Sequence, residues 1–277
     1  MRASCDDDIE GSPEPEPGPV PRFTVDPIQG LYLDKPVVIP QRVSGQGMPF
    51  CRAYTPLLGK YGLTEQPFLG FLDTLNLVNT PQCDAHLLRS VSESLMGIGD
   101  ELYRLIGTGI QETIKQGERS VDYFLNNMNQ TLFQPRKLQV KLVPTTDLIR
   151  ELGLTERPLM PELTEDQYKL SVQERRMDGI KRHACPIKFD VSPPTQALRD
   201  ILDAVLSSST EESDLLRARQ EMIDSLNGGS HFQYMIESAQ SDEERARWQA
   251  LWGDHKQPVD REQQIVESIN WLIVRPA

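Results

Sequence analysis

The sequence lacks a long hydrophobic run and is poor in positive charge. No stretch reaches about 18 uncharged apolar residues, so we expect no transmembrane helix. The 41 acidic residues outnumber the 29 Lys and Arg, and the formal net charge is -12. This sign disfavours a general nucleic-acid binder, which must displace cations from phosphate, and it equally disfavours docking onto anionic lipid.

The amino terminus lacks the apolar core of a secretory signal. Residues 1–26 are instead acidic and rich in proline, as in "CDDDIEGSPEPEPGPVP". Such a segment buries too little apolar surface to offset the entropy lost on ordering, so we predict a disordered tail. Residues 27–277 are long enough for one folded domain.

Cysteine is scarce as well, with four residues spread along the chain: Cys5, Cys51, Cys83 and Cys185. This spacing favours free thiols in a reducing compartment over a disulfide framework. Together with the missing signal, it predicts a soluble, cytoplasmic protein.

Apolar periodicity predicts many helices and a few short strands. Alternating apolar residues indicate strands in "RKLQVKLVP", "PIKFDVSPP" and "NWLIVRP", and "PVVIP" is a short extended run. The fold class is therefore α+β, with long amphipathic helices packed on a small sheet built from distant segments. Three prolines make residues 144–163 a candidate sub-boundary within the domain.

Two glycine pairs interrupt the most regular apolar pattern, "SESLMGIGDELYRLIGTGIQETIKQ", residues 92–116. Apolar side chains recur at helical spacing from Leu88 to Ile114, which predicts one long helix whose apolar ridge is covered by another part of the molecule. A phosphate-binding loop is not indicated, because these glycines neither follow a strand nor precede a Lys-Ser/Thr pair. We interpret them as sites of close helix packing, with a kink or hinge as the alternative.

Several segments resemble a family of uncharacterised proteins from filamentous fungi: "LDKPVVIPQR", "PFCRAYTPLLGKYGL", "FLGFLDTLN", "FLNNMNQTLFQPRKL" and the final "WLIVRPA". The family's shared segments are a "VVIPQR"-like opening, an "RAY-P-L" segment and an "N-LF-PR-L" helix end. The resemblance covers much of residues 31–142. This chain has a charged amphipathic helix where the family has a nearly uncharged middle segment, so membrane association is not implied. The resemblance implies no activity.

One basic cluster stands out in the acidic chain, "QERRMDGIKRHACPIK". Arginine forks suit phosphate and carboxylate, so the candidate anion-binding residues are Arg175, Arg176, Lys181, Arg182 and His183. The alternative is a solvated helix end whose charge is partly offset by Glu174 and Asp178.

Thiol and imidazole side chains are too few and too dispersed to predict a metal site. Two short pairs, Cys83-x-x-His86 and His183-x-Cys185, give four potential zinc ligands, but they lie far apart in sequence. We therefore predict no metal and no cofactor. The letters "NGGSHFQY" are interpreted as a helix stop at Asn227–Gly229 followed by a serine cap.

Two functions from different classes are compatible with these observations. The first, which the sequence favours, is a non-enzymatic interaction or regulatory protein that binds another protein. The second is a small-molecule-binding protein or motif-free enzyme of specialised metabolism, with an apolar pocket between the helices and the sheet that is lined by Arg52, Tyr103 or the basic cluster. Arg52 and the asparagines of "FLNNMNQ" have a structural alternative, the capping of helix ends and strand edges.

Overall fold

The computed structural model describes residues 33–81, 83–116, 121–154, 159–161, 163–206, 209–253 and 260–277. Its sheet has three antiparallel strands in the order β1-β3-β2: β1 (Val37–Pro40), β2 (Leu138–Pro144) and β3 (Asn270–Pro276). The strand that is last in sequence is therefore central. The predicted tail, residues 1–26, lies outside the described residues.

Helices make up most of the remaining described chain, and the α+β prediction is confirmed. A 3-10 helix (Pro56–Tyr61) precedes the first α-helix. None of the described helices is long and apolar enough to cross a membrane. The α-helices are α1 (Glu65–Asn79), α2 (Ala85–Gly97), α3 (Glu101–Lys115), α4 (Val121–Met128), α5 (Thr145–Glu151), α6 (Glu165–Tyr168), α7 (Val172–Asp178), α8 (Gln196–Leu206), α9 (Ser209–Ser238), α10 (Asp242–Gly253) and α11 (Arg261–Ser268).

The first face of the sheet shares one hydrophobic core with helices α1 to α4. Side chains at alternate strand positions, such as Ile39 and Leu272, enter this core. Helix α1 is buried along nearly its whole length, and its Phe71 stacks on Phe124 and meets Phe133 edge-on, with ring centroids 6.1 and 4.9 Å apart. This core is built from aliphatic and aromatic side chains that pack by shape.

The second face of the sheet packs against α5, α7 and α11. Trp271 and Ile273 point to this side, where they join Leu148 and Met160. The indole N–H of Trp271 donates to the hydroxyl of Thr145 at 2.8 Å. Leu148 and Met160 lie within the candidate sub-boundary 144–163, which stays a prediction.

The single helix predicted through residues 88–116 is wrong, because the chain turns between α2 and α3. Gly99 has a φ of 83° at this turn, a conformation that favours glycine. At Gly107, a Cβ would lie 2.8 Å from Met96 Cγ and 2.9 Å from the Ser92 carbonyl oxygen of α2. The pair Gly97/Gly99 thus lies at the turn, while the pair Gly107/Gly109 allows close packing of the helices.

The apolar ridge of these two helices is covered over most of its length, as predicted. Ile98 departs from this pattern, since it lies at the turn and is 41% exposed. Leu102, Leu105 and Ile114 are half-buried against the first core. The fully buried ridge residues are Leu88, Val91, Leu95, Ile106 and Ile110.

Two other local predictions are wrong. The "PIKFDVSPP" segment forms only an isolated bridge between Tyr54 and Lys188, because its partner is a single residue rather than a strand. Asn227–Gly229 do not end a helix, since α9 continues to Ser238. Packing of α9 against α10, including Phe232 beside Trp248, outweighs the low helix propensity of the glycines.

Asn129 caps the free edge of β2. Its Oδ1 accepts from the Val140 N–H and its Nδ2 donates to the Val140 carbonyl, both at 2.8 Å. Asn129 begins a π-helical turn (Asn129–Phe133) that follows α4. The side chain takes the position that a fourth strand would occupy, which confirms the expected strand-edge role of an asparagine in this segment.

Candidate functional site: a cavity beside the Arg52–Asp73 ion pair

A cavity of about 520 Å³ opens between the loop after β1, helices α1, α7 and α8, and the segment that precedes α8. Its apolar wall consists of Pro49, Phe50, Cys51, Phe189, Pro194 and Leu202. Its polar groups are Arg42, Arg52, Asp73, Asn76, Gln173 and Asp203. Apolar walls with a few polar side chains are typical of small-molecule sites.

The loop after β1 is held from two sides. From α1, Asn76 Oδ1 accepts from the Phe50 N–H at 2.7 Å, and Asn76 Nδ2 donates to the Phe50 carbonyl at 3.1 Å. From α7, the buried guanidinium of Arg176 donates to the carbonyls of Gln41 and Arg42 at 2.6 and 2.8 Å. These bonds fix the backbone that presents the loop's side chains to the cavity.

An ion pair between Arg52 and Asp73 forms part of the cavity wall. Arg52 Nε and Nη2 donate to Asp73 Oδ1 and Oδ2 at 2.7 and 3.1 Å, and Nη1 donates to the Ser192 carbonyl at 2.8 Å. The Asp73 side chain is 2% exposed and that of Arg52 is 24% exposed. Burial raises the pKa of the Asp73 carboxyl above its ordinary value, and the hydrogen bonds and charge of Arg52 oppose this rise.

Residues 186–195, here called the strap, form one side of the cavity. The backbones of Tyr54 and Lys188 exchange two hydrogen bonds of 3.0 and 2.8 Å. Farther along, Glu65 Oε1 accepts from the hydroxyl and the N–H of Ser192 at 2.6 and 2.9 Å. These two bonds lower the pKa of Glu65 below its ordinary value. The strap is therefore attached on both sides of Phe189, one of the two residues that it contributes to the cavity wall.

The predicted anion-binding cluster is divided in the structure. Arg175 and Arg176 are fully buried, and Arg175 forms ion pairs with Asp260 and Glu262. The other three residues are exposed at the surface: Lys181, Arg182 and His183. The five side chains therefore do not share one surface, and the two arginines act within the protein as partners of acidic and carbonyl oxygens.

Glu262 is the centre of a buried charge network. Its carboxylate accepts from Arg175 Nη1 at 3.2 Å and from Arg219 Nη2 at 2.7 Å. Arg175 also pairs with Asp260, whose Oδ1 caps α11 by accepting from the Gln263 N–H at 3.1 Å. The network links α7, α9 and α11.

Tyr103 is not among the residues that line this cavity. Its ring packs against Gly70 of α1, where a Cβ would lie 2.6 Å from the ring. Burial raises the pKa of the Tyr103 phenol to about 12; Asp100 and Asp73 act in the same direction and Arg52 opposes them. Tyr103 is therefore electrostatically linked to the ion pair from inside the first core.

The four potential zinc ligands are not brought together as a site. Cys83 and Cys185 are buried, whereas His86 and His183 are exposed. The Cys185 thiol donates to the Lys35 carbonyl at 2.8 Å. Within the described parts of the chain, no group of three or more His, Cys, Asp or Glu side chains could hold a metal ion.

Sequence reasoning identified Arg52 but missed its partner Asp73 and the loop-binding Asn76. Both lie in "FLGFLDTLN", and both are buried polar residues in a segment whose other residues are apolar except for Thr74. A buried polar side chain needs a partner. The polar residues within this apolar stretch could therefore have indicated Asp73 and Asn76 as candidates for buried hydrogen bonds.

Comparisons with known proteins find a distant relative. No family model matches the chain, and no solved structure matches it. Over 206 residues, the chain is 28% identical to the Burnettramic acids biosynthesis cluster protein E of Petromyces alliaceus. The matched part is 69% of this chain and 46% of that protein, so the chain spans about half the length of its relative. Over most of its length, this chain is thus similar to a fungal biosynthesis cluster protein.

Proposed function

We propose that this protein binds a small, largely apolar molecule in the cavity beside Arg52 and Asp73, as part of fungal specialised metabolism. The observation that carries the proposal is the cavity itself, whose volume of about 520 Å³ lies within the usual range for small-molecule sites. The similarity to a biosynthesis cluster protein supports the metabolic setting. This is the second of the two functions weighed from the sequence.

The construction of the cavity also supports ligand binding. Its loop wall is held by Asn76 and Arg176, and its strap is held by Glu65 and Arg52. Walls that are fixed before binding lower the entropy cost of holding a ligand. The apolar surfaces of Phe189 and Leu202 then favour an apolar body over water.

A neutral fluorophore that brightens in apolar surroundings, N-phenyl-1-naphthylamine, tests this proposal directly. We expect saturable binding to the wild-type protein. Gln173→Trp places an indole at the cavity wall from α7 and is expected to weaken binding at least tenfold, whereas Gln220→Trp on an exposed side of α9 is expected to leave it unchanged. Equal binding by both variants would contradict the cavity as the site.

An interaction function remains a second candidate because of the pair of helices α9 and α10. Two large apolar side chains on this pair, Tyr234 and Leu251, are 66% and 42% exposed. Exposed apolar groups on a helical surface are compatible with protein binding. Affinity capture from the organism that makes the protein, with wild type and Tyr234→Ser/Leu251→Ser side by side, tests it: a partner held equally by both would contradict this surface.

A further inference from the structure

We infer that the ligand bears an uncharged oxygen acceptor, such as a ketone, amide or lactone carbonyl, on an apolar body, and that this oxygen binds Arg52. This inference rests on the proposed function, since it names the chemistry of the molecule that occupies the same cavity. Its basis is the number of hydrogen-bond donors on Arg52 and the charge beside them.

Arg52 has donors left over. A guanidinium carries five N–H groups and no acceptor. Three of them are used, two by the Asp73 carboxylate and one by the Ser192 carbonyl. Among the described contacts of Arg52, one N–H on Nη1 and one on Nη2 therefore remain for a ligand. Because the side chain lines the cavity and is 24% exposed, a bound molecule can reach them.

The position of these donors is fixed before any ligand arrives. Asp73 holds the guanidinium through two parallel bonds, and the strap holds it through a third. Such a fixed fork loses little side-chain freedom when it donates to an acceptor. It therefore selects a ligand that places an oxygen at one particular point of the cavity.

The charge beside these donors favours an uncharged acceptor over an anion. Asp73 is ion-paired with Arg52 and nearly fully buried, so the pair presents little net charge to the cavity. A carboxylate or sulfonate on the ligand would be attracted by Arg52 and repelled by the Asp73 carboxylate beside it, so that the pair offsets much of the gain while the ligand's charge still has to leave water. Glu65 is a second carboxylate within electrostatic range of the same guanidinium, since the charge of Arg52 helps to lower the pKa of Glu65. A carbonyl dipole gains the hydrogen bonds without that repulsion.

The apolar side chains of the remaining walls favour an apolar body, and the other polar groups there include one charge of each sign: Arg42, Gln173 and Asp203. Phe50 and Leu202 are buried beside the cavity, and Phe189 and Pro194 of the strap are half-buried. The amide of Asn76 is occupied by the backbone of Phe50. A ligand with one carbonyl and an otherwise apolar frame matches this distribution.

Three naphthalene fluorophores that differ in their polar group test the inference on the wild-type protein. Prodan carries a ketone, N-phenyl-1-naphthylamine has no carbonyl, and 1-anilinonaphthalene-8-sulfonate carries an anion. We expect prodan to bind about tenfold more tightly than N-phenyl-1-naphthylamine, which corresponds to about 1.4 kcal/mol, and the sulfonate to bind most weakly. Bound prodan should also show the red-shifted emission of a hydrogen-bonded ketone.

The double variant Arg52→Met/Asp73→Leu removes the donors without leaving an unpaired charge. We expect it to lose the preference for prodan and to shift bound prodan's emission to the blue, while it keeps its affinity for N-phenyl-1-naphthylamine. Arg182→Met, at an exposed arginine, is the matched control and should change nothing.

The outcomes separate this inference from the proposed function. Equal wild-type affinity for prodan and N-phenyl-1-naphthylamine would overturn the carbonyl preference and leave the cavity as an apolar site. Tightest binding of the sulfonate would overturn it in favour of an anionic ligand. Binding of none of the three would overturn the proposed function as well. The wild-type ranking decides among these results even if the double variant does not fold.

Discussion

The two faces of the sheet are covered by different kinds of buried group. On the first face, Phe71, Phe124 and the α2–α3 pair form a core of apolar side chains. The second face has a smaller apolar core, and the buried Glu262 network lies with it among α7, α9 and α11. Apolar packing is non-directional, whereas a buried ion pair depends on exact partners.

The two kinds of contact therefore have different roles: apolar packing stabilises the folded protein, whereas polar contacts position its elements. The cavity lies where the two arrangements meet: α1 supplies Asp73 and Asn76 from the first core, while α7 supplies Gln173 and holds the loop through Arg176. Apolar packing contributes burial energy, and the polar contacts specify where the cavity walls stand. The following changes test that division, in order of expected effect.

The largest loss is expected from Arg175→Met on α7. It leaves Asp260 and Glu262 without one of their buried partners, and breaking such a pair costs about 3–5 kcal/mol. Denaturant unfolding followed by circular dichroism measures the loss. Arg217→Met on α9 is the control, since Arg217 is 70% exposed and its pairing with Asp214 contributes little. Similar losses in both variants would show that burial does not decide the effect.

Thr145→Val should cost about 1–3 kcal/mol, because it leaves the buried indole N–H of Trp271 without its acceptor. The matched control lies in the first core: Thr113 is equally buried, but its hydroxyl bonds to the Gly109 carbonyl of its own helix. Thr113→Val should therefore cost less in the same unfolding experiment. The reverse order would contradict the distinction between the two faces.

Gly107→Ala should cost about 1–2 kcal/mol, because the new Cβ meets Met96 and the backbone oxygen of Ser92, and overpacking of this kind strains the core. At Gly97 of α2, a Cβ would meet nothing within 4 Å. Gly97→Ala should therefore stabilise the protein by up to about 1 kcal/mol through helix propensity. Thermal unfolding shows whether each variant is more or less stable than the wild type. A more stable Gly107→Ala variant would contradict the close packing of α2 and α3.

The smallest effect at neutral pH is expected from Tyr103→Phe. Because the pKa of about 12 in the folded protein lies above the ordinary value of 10.0 for a tyrosine, the stability that Tyr103 contributes through this shift is present below pH 10 and is lost as pH rises toward 12. Phenolate absorbance of wild type minus variant should therefore titrate near pH 12. A difference titration near pH 10 would contradict the buried position of Tyr103 in the first core.

Sequence patterns predicted the larger elements because these follow from local periodicity. The strands β2 and β3 were recognisable from the alternation of apolar and polar residues. The α2–α3 turn was not, because Ile98 and Leu102 continue the apolar spacing across Gly99. The spacing of apolar residues alone does not reveal that the chain changes direction at a single glycine with a positive φ.

The candidate site was recognised only through Arg52. Its partner Asp73 lies in another element, and Ser192 is more distant still along the chain. Such pairings depend on tertiary contacts, which local spacing does not encode. The basic cluster is another example. Its sequence suggested one anion-binding surface, but the adjacent residues Arg175 and Arg176 bind different partners inside the protein.

The central position of β3 sets an order of events during synthesis. Neither β1 nor β2 has another strand to pair with until residues 270–276 have left the ribosome, because each pairs only with β3 within the described sheet. Both faces of the sheet thus wait for the same late segment, and contacts between such distant residues form slowly. Until then, the nascent chain depends on the helices already released, or on chaperones, to keep its apolar strand residues from other chains.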